Sequence, residues 1–402
     1  MKKYFLGFLF IAQRKLQHSF LLLILAGFSA GVTAIDPPPI NPSRFAMKTT
    51  YLQTPEEGIY ELAFDARNNR IFAAVMDRVN RQDNRGFLYG FNPGSLNMEG
   101  RYAMPYRAFS LAINQDSGHV YVGHTQSASL RISMVDGATG KILRVSERLT
   151  FDIKNIVDKR YEHLRHMVYS KAADALFVSY SNMVREGKQN RPVHKLLILD
   201  GKTLALKGEV KGAYQSTAYG LTADEKTRRI YIGGSDYVNE IDAVSRKVLR
   251  TITLQKTTPV MTSVQNLFVD TEQGRLFVVV FDHADRSGNN DGLYVFRLND
   301  GKQLAYVHTG AGANAVKYNP KYNELYVTNF TSGTISVVDG NQYNIIREIN
   351  MPVHPNQMAL SADMDTLYVG IKEGFNRQWD PDVFVEGARE KILSISLKET
   401  QD

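Results

Sequence analysis

The sequence predicts an all-β fold, a seven-bladed β-propeller whose ring is closed by an N-terminal strand in the last blade. Three observations carry the prediction. A strand–turn–strand unit occurs with flanking strands at residues 315–349. Its second strand recurs seven times at nearly even spacing. A spare strand near the N-terminus matches a missing strand in the last unit.

The unit is clearest at residues 325–340, LYVTNFTSGTISVVDG. Tyr326 and Thr328, then Ile335 and Val337, alternate with their neighbours at the period of two that a strand requires. Ser332 and Gly333 supply the turn, and Asp339 and Gly340 end the second strand. Further runs lie at 315–318 and 345–349. One sheet of four short strands buries too little apolar surface to stand alone, so a repeat is expected.

The second strand recurs as IFAAV from Ile71, VYVG from Val120, LFVSY from Leu176, IYIGG from Ile230, LFVVV from Leu276, LYVTN from Leu325 and LYVG from Leu367. Successive starts are 49, 56, 54, 46, 49 and 42 residues apart, a period close to that of propeller blades. Seven such sheets set radially form a propeller; the polar caps that a solenoid needs are missing from the sequence. The seventh unit runs only through a third strand at 391–397, KILSISL, while 48–54, KTTYLQT, has no blade in front of it. Pairing the two closes the ring and removes open edges. Blade one then starts near Ile59, and the others near Tyr106, His163, Ser216, Val264, Asn314 and Asn356.

Residues 1–34 differ in kind. Lys2, Lys3, Arg14 and Lys15 precede an apolar run at 20–28, and Val32-Thr33-Ala34 fits a small-residue cleavage site. This reads as a signal peptide, with an uncleaved anchor as the alternative; the apolar run is short for a membrane span. Residues 35–47, with Pro37-Pro38-Pro39, read as a stiff extended leader, and 48–402 as one propeller domain. The chain has 48 Lys and Arg against 41 Asp and Glu; without the four basic residues of the signal the net charge is +3, too small to argue for nucleic acid or anionic lipid. There is no cysteine, which excludes disulfides and thiol catalysis. The expected compartment is the periplasm, with no stable membrane insertion after cleavage.

Aligned on their apolar positions, the innermost strands give one column of Leu62, Leu111, Met167, Leu221, Leu267, Val316 and Met358, and a second of Phe64, Ile113, Tyr169, Ala223, Val269, Tyr318 and Leu360. These are expected core. The apolar pattern breaks just before them, at Glu61, Ser110, His166, Gly220, Asn266, Ala315 and Gln357, and one residue earlier at Tyr60, Phe109, Arg165, Tyr219, Gln265, Asn314 and Asn356. These fourteen positions are expected to ring one mouth of the central channel. With Tyr106 and Arg107 they supply the candidate ligand-binding residues: Tyr60, Glu61, Tyr106, Arg107, Phe109, Arg165, His166, Tyr219, Asn266, Asn314, Asn356 and Gln357. Capping strand ends and bonding channel water is the plainer role for any one of them. Long loops at 77–86, 181–195, 282–292 and 372–391 share that face and carry Arg78, Arg81, Arg85, Arg185, Lys188, Arg191, Arg377 and the single tryptophan, Trp379.

No catalytic residue, cofactor or metal is expected. H-E-x-x-H, G-x-S-x-G and phosphate-loop patterns do not occur. Asp282, Asp285, Asn289, Asn290 and Asp291 are oxygen-rich, but these residue types also make turns. Glu61, Asn266, Asn314 and Asn356 could converge on calcium, which keeps a calcium-dependent, lactonase-like hydrolase as an alternative.

LYVTN followed by SGTISVVDG resembles the signature of the YVTN family of bacterial β-propeller repeats. GIYELA at 58–63, YNP at 318–320, NELYVT at 323–328 and HPNQMALSAD at 354–363 resemble secreted seven-bladed members from enteric bacteria. The resemblance covers essentially the whole mature chain. It implies a periplasmic, non-enzymatic binding protein, with single-stranded DNA as a ligand. Aromatic faces at Tyr60, Tyr106, Phe109 and Tyr219 for bases, and Arg107 and Arg165 for phosphates, are compatible with that. A scaffold for an envelope protein or polymer is the alternative binding role.

Overall fold

The computed structural model describes residues 44–54, 57–77, 85–125, 130–151, 153–157, 162–214, 219–256, 262–282, 285, 287–373 and 387–398. The signal peptide, most of the Pro-rich leader, Arg78, Arg81, Arg377 and Trp379 lie outside these residues.

Among the described residues, twenty-eight strands form seven four-stranded antiparallel sheets. In six of them the strands pair in chain order; the seventh is made from both ends of the propeller. The inner strands are Glu57–Asp65, Ala108–Asn114, His163–Ser170, Leu221–Asp224, Ser263–Asp270, Ala313–Asn319 and Pro355–Leu360. Each packs against the inner strands of the blades before and after it, and the last packs against the first. This is the expected seven-bladed propeller.

The repeated motif holds because its residues face the gaps between blades. Phe72, Tyr121, Phe177, Tyr231, Phe277, Tyr326 and Tyr368 occupy one equivalent position of the second strand, and all are buried. Hydrophobic clusters fill the seven interfaces between neighbouring blades, including the one between blades seven and one. Tyr121 donates its hydroxyl to Gly201 O at 2.7 Å and Tyr368 to Pro93 O at 2.9 Å, so each crosses to the next blade. A buried phenol needs such a partner.

The ring closes as the spare strand predicts. Met47–Tyr51 pairs antiparallel with Lys391–Ser396, register Met47↔Ile395 to Tyr51↔Lys391. Leu52, fully buried, joins the core between blades seven and one. Arg44 extends the closure, donating to Leu397 O at 3.0 Å and pairing with Glu324 of blade six at 2.5 Å.

The segment 181–195 is not a loop. The second and third strands of blade three run on as Ala175–Glu186 and Gln189–Asp200, paired from Ala175↔Asp200 to Glu186↔Gln189. Gly187, at φ +61°, takes the first turn position, where a glycine is favoured in a type II′ turn. Pro192 and the polar tip disguise the strand in the sequence. Ile156 bridges to Val184 on the side that the first strand leaves open beyond Ser181, and so covers part of that edge.

Candidate functional site

The break in the apolar pattern has a structural cause. In six inner strands one extra residue is inserted against the second strand, a β-bulge. The register shifts fall between Ile59 and Glu61, Ala108 and Ser110, Leu164 and Met167, Val264 and Asn266, Ala313 and Ala315, and Pro355 and Met358. Tyr60, Phe109, Gln265 and Asn314 are therefore the unpaired residues, and Arg165–His166 and Asn356–Gln357 span the other two. A bulge re-aims side chains away from the ladder. Among the described residues blade four shows no bulge; there the backbone amides of Tyr219 and Gly220 both donate to Val264 O of blade five, at 3.2 and 3.1 Å.

The side chains aimed this way form a belt from blade to blade. Tyr60 lies against Phe109, ring centroids 4.5 Å apart, and Phe109 against His163 at 5.3 Å. The Arg165 guanidinium sits 5.6 Å from the Phe109 centroid and 4.2 Å from that of Tyr219, and Tyr219 meets His194 edge-on at 6.1 Å. Lys372 Nζ lies 3.4 Å from the Tyr60 centroid. Blades one to four thus give a run of aromatic rings with cations seated on them. Blades five to seven give amides. Asn314 Nδ2 donates to Asn356 Oδ1 at 2.8 Å, Asn356 Nδ2 to Tyr60 O at 3.0 Å, and Val316 N to Asn266 Oδ1 at 3.3 Å.

Arg165 stands out electrostatically. It makes no ion pair among the described residues, and its buried Nε has no hydrogen-bond partner. Nearby, neither ring nitrogen of His194 nor the Tyr214 hydroxyl has one. Burial, and then the charge of Arg165, push His194 down to about 4 and His163 to about 3. Both are neutral near pH 7, and Arg165 carries the positive charge of this group. The hairpin of blade three continues past His163↔Ser181, so it rises from the same mouth; Arg185 and Lys188 are exposed at its tip.

The other candidates face a different space. Glu61, His166, Asn266 and Gln357 line a central cavity of about 670 Å³, walled by Leu62, Leu111, Met167 and their equivalents. His166 Nδ1 is 3.5 Å from Glu61 Oε2. The cavity runs down the inner strands to Gln273, Pro320 and Met364 at the opposite mouth. None of Tyr60, Phe109, Arg165, Tyr219, Asn314 and Asn356 lines it. The expected single ring of polar residues is thus two layers, a belt and a cavity roof.

Several expectations are corrected. Arg107 is 3% exposed and Phe109 7%, so neither offers a phosphate contact or an open stacking face. Tyr106 packs on His124 and carries Arg131 at 4.9 Å. Arg191 pairs with Glu186 at 2.7 Å and Arg85 with Asp77 at 3.3 Å. Asn266, Asn314 and Asn356, the amides of the calcium alternative, each make a bond between blades. Asp291 brackets its loop, accepting from Asp282 N at 2.7 Å and Gly312 N at 2.6 Å. Sequence reasoning missed His194, Lys372 and Lys317, which lie outside the aligned columns; Lys317 is one residue from each.

Comparison with known proteins agrees with this architecture. No protein-family model matches the chain. It is 28% identical over 325 residues to the uncharacterized protein YncE of Salmonella typhi, spanning 80% of this chain and 85% of that one. It is 26% identical over 324 residues to YncE of Escherichia coli K12, with the same coverage. Among solved structures, hydrazine synthase of Kuenenia stuttgartiensis superposes with a TM-score of 0.61 at 11% identity, over 80% of this chain and 94% of that one, a likeness of fold. The seven sheets and the closing strand make the chain a seven-bladed β-propeller, similar over most of its length to the YncE proteins.

Proposed function

We propose that this propeller is a non-catalytic periplasmic binding protein whose mouth on blades one to four takes single-stranded DNA. The observation that carries the reading is Arg165: a cation held over Tyr219 and Phe109, with no ion pair among the described residues and a buried Nε left unbonded. A phosphate supplies the ion pair that the guanidinium lacks, and a base can stack on the half-buried Tyr219 ring beside it. Arg185 and Lys188 on the hairpin extend the positive surface along the path of a strand. Export is supported by the basic and apolar pattern of residues 1–34 and the absence of cysteine.

The test is fluorescence anisotropy with a labelled oligonucleotide across a salt series. Arg165→Ala removes one phosphate contact, so the slope of log affinity against log salt becomes shallower by roughly 0.7. Tyr219→Ala weakens binding by roughly 1–3 kcal/mol without changing the slope. A wild-type protein that binds no oligonucleotide at low salt overturns the reading and leaves an envelope scaffold in its place.

A further inference from the structure

Lys317 lies on the inner strand of blade six and lines the central cavity. It makes no hydrogen bond or ion pair among the described residues, and its closest described partner is the Phe268 ring, 5.7 Å from Nζ to centroid. Surrounding protein lowers its pKa, with Glu61 drawing it partly back. Glu61 itself faces His166. The other carboxylates on the lining are answered from outside it, Asp270 by Arg275 at 2.8 Å and Glu272 by Lys226 at 3.1 Å. An ammonium in a mostly apolar enclosure is costly to keep without a counter-charge.

We propose that the cavity is a second binding site, for a small monocarboxylate with an apolar body, its carboxylate on Lys317. The volume of about 670 Å³ suits a small organic molecule. The walls, Leu62, Leu111, Met167, Leu267 and Met358, suit an apolar body. Lys317 makes no ion pair among the described residues, so it can seat one carboxylate; a phosphate dianion would bring a second negative charge into a lining that already holds Glu61. Asn266 and Gln357, each 7% exposed, add neutral hydrogen-bonding groups at the end lined by Glu61 and His166. Entry is from the mouth at Gln273, Pro320 and Met364, away from the Arg165 belt. The site is independent of nucleic-acid binding.

The experiment is isothermal titration of the mature protein with octanoate, octanol and inorganic phosphate. Octanoate binds with a stoichiometry of one, and octanol and phosphate do not. Lys317→Met keeps most of the side-chain length, removes the charge and lowers octanoate affinity roughly ten- to hundred-fold, the loss of a charge-assisted bond. Lys317→Arg retains binding and shows that the ring tolerates substitution there. Octanol binding as tightly as octanoate, octanoate unaffected by Lys317→Met, or no octanoate binding at all overturns the proposal. Oligonucleotide anisotropy repeated in saturating octanoate is unchanged, which separates this site from the belt; a competitive effect overturns their independence.

Discussion

His124 is fully buried, and burial takes its pKa down to about 4, against weaker opposing bonds from the Arg107 and Tyr106 backbone. His163 and His194 are lowered too, to about 3 and about 4. In the unfolded chain all three titrate near pH 6.5, so the unfolded state binds more protons between those values. Their stabilising contribution is complete above about pH 6.5 and is lost as pH falls through about 4. Asp291 works the other way: burial raises it to about 6, so its contribution is present at low pH and lost as pH rises through about 6. Three histidines outweigh one aspartate, and the protein is expected to lose stability on acidification from pH 7 to 4. For His124 alone the loss is on the order of 3 kcal/mol. Urea unfolding at several pH values checks this. His124→Gln should flatten the curve over that window; an unchanged slope would show that His124 does not titrate as its burial dictates.

At the scale of the element, the turn between the third and fourth strands recurs with one chemistry. Asp200 Oδ1 accepts from Lys202 N at 3.1 Å and Thr203 N at 2.8 Å; Asp242 and Asp339 repeat the pattern with the residues two and three ahead. These bonds, with that from the Thr203 hydroxyl, hold the Asp200 carboxyl far below its ordinary pKa. Asp200→Ala should cost about 1–2 kcal/mol in chemical denaturation, and Asp200→Asn less, because the amide oxygen still accepts. The turn at Asp339 was legible because Asp-Gly after an alternating run is local information; Asp242, followed by Ala243, carries no such signal. The bulges were legible only as a break in the pattern: the column of Tyr60, Phe109 and Arg165 was found by counting from the apolar position, but period-two reasoning does not say that one residue has been inserted. The blade-three hairpin was misread for a related reason. Its tip pairs with itself rather than with core, so polarity and Pro192 outweighed the alternation. Which mouth candidates face the belt and which the cavity depends on the direction of bulged side chains, and residues such as His194 reach the site from a third strand that no alignment of inner strands includes.

For the whole molecule, the ring is as strong as its last blade. Deleting residues 47–54 removes a complete edge strand and Leu52, and should lower the melting temperature of the entire propeller in one cooperative transition. Calorimetry decides it: a truncated protein that melts like the mature one would mean that the closing strand adds nothing. Arg44→Ala is the milder form, breaking a largely buried ion pair with Glu324 at a cost of about 3 kcal/mol. This closure was legible from the sequence because it is a counting argument, one strand too many at one end and one too few at the other.

The same joint sets the order in which the molecule can be finished. The Arg44–Leu397 bond spans 353 residues, and the strand made early in synthesis must wait for one made at the end. Six blades can form hairpin by hairpin as the chain emerges, but the seventh cannot exist until nearly the whole chain has appeared. Contacts of such separation are slow to form. A chain cut short between Ile371 and Lys391 would leave both Met47–Tyr51 and the second strand of blade seven as bare edges. Completeness of the polypeptide is thereby a condition of solubility, and an interrupted product presents itself for proteolysis or aggregation rather than persisting as a partial ring.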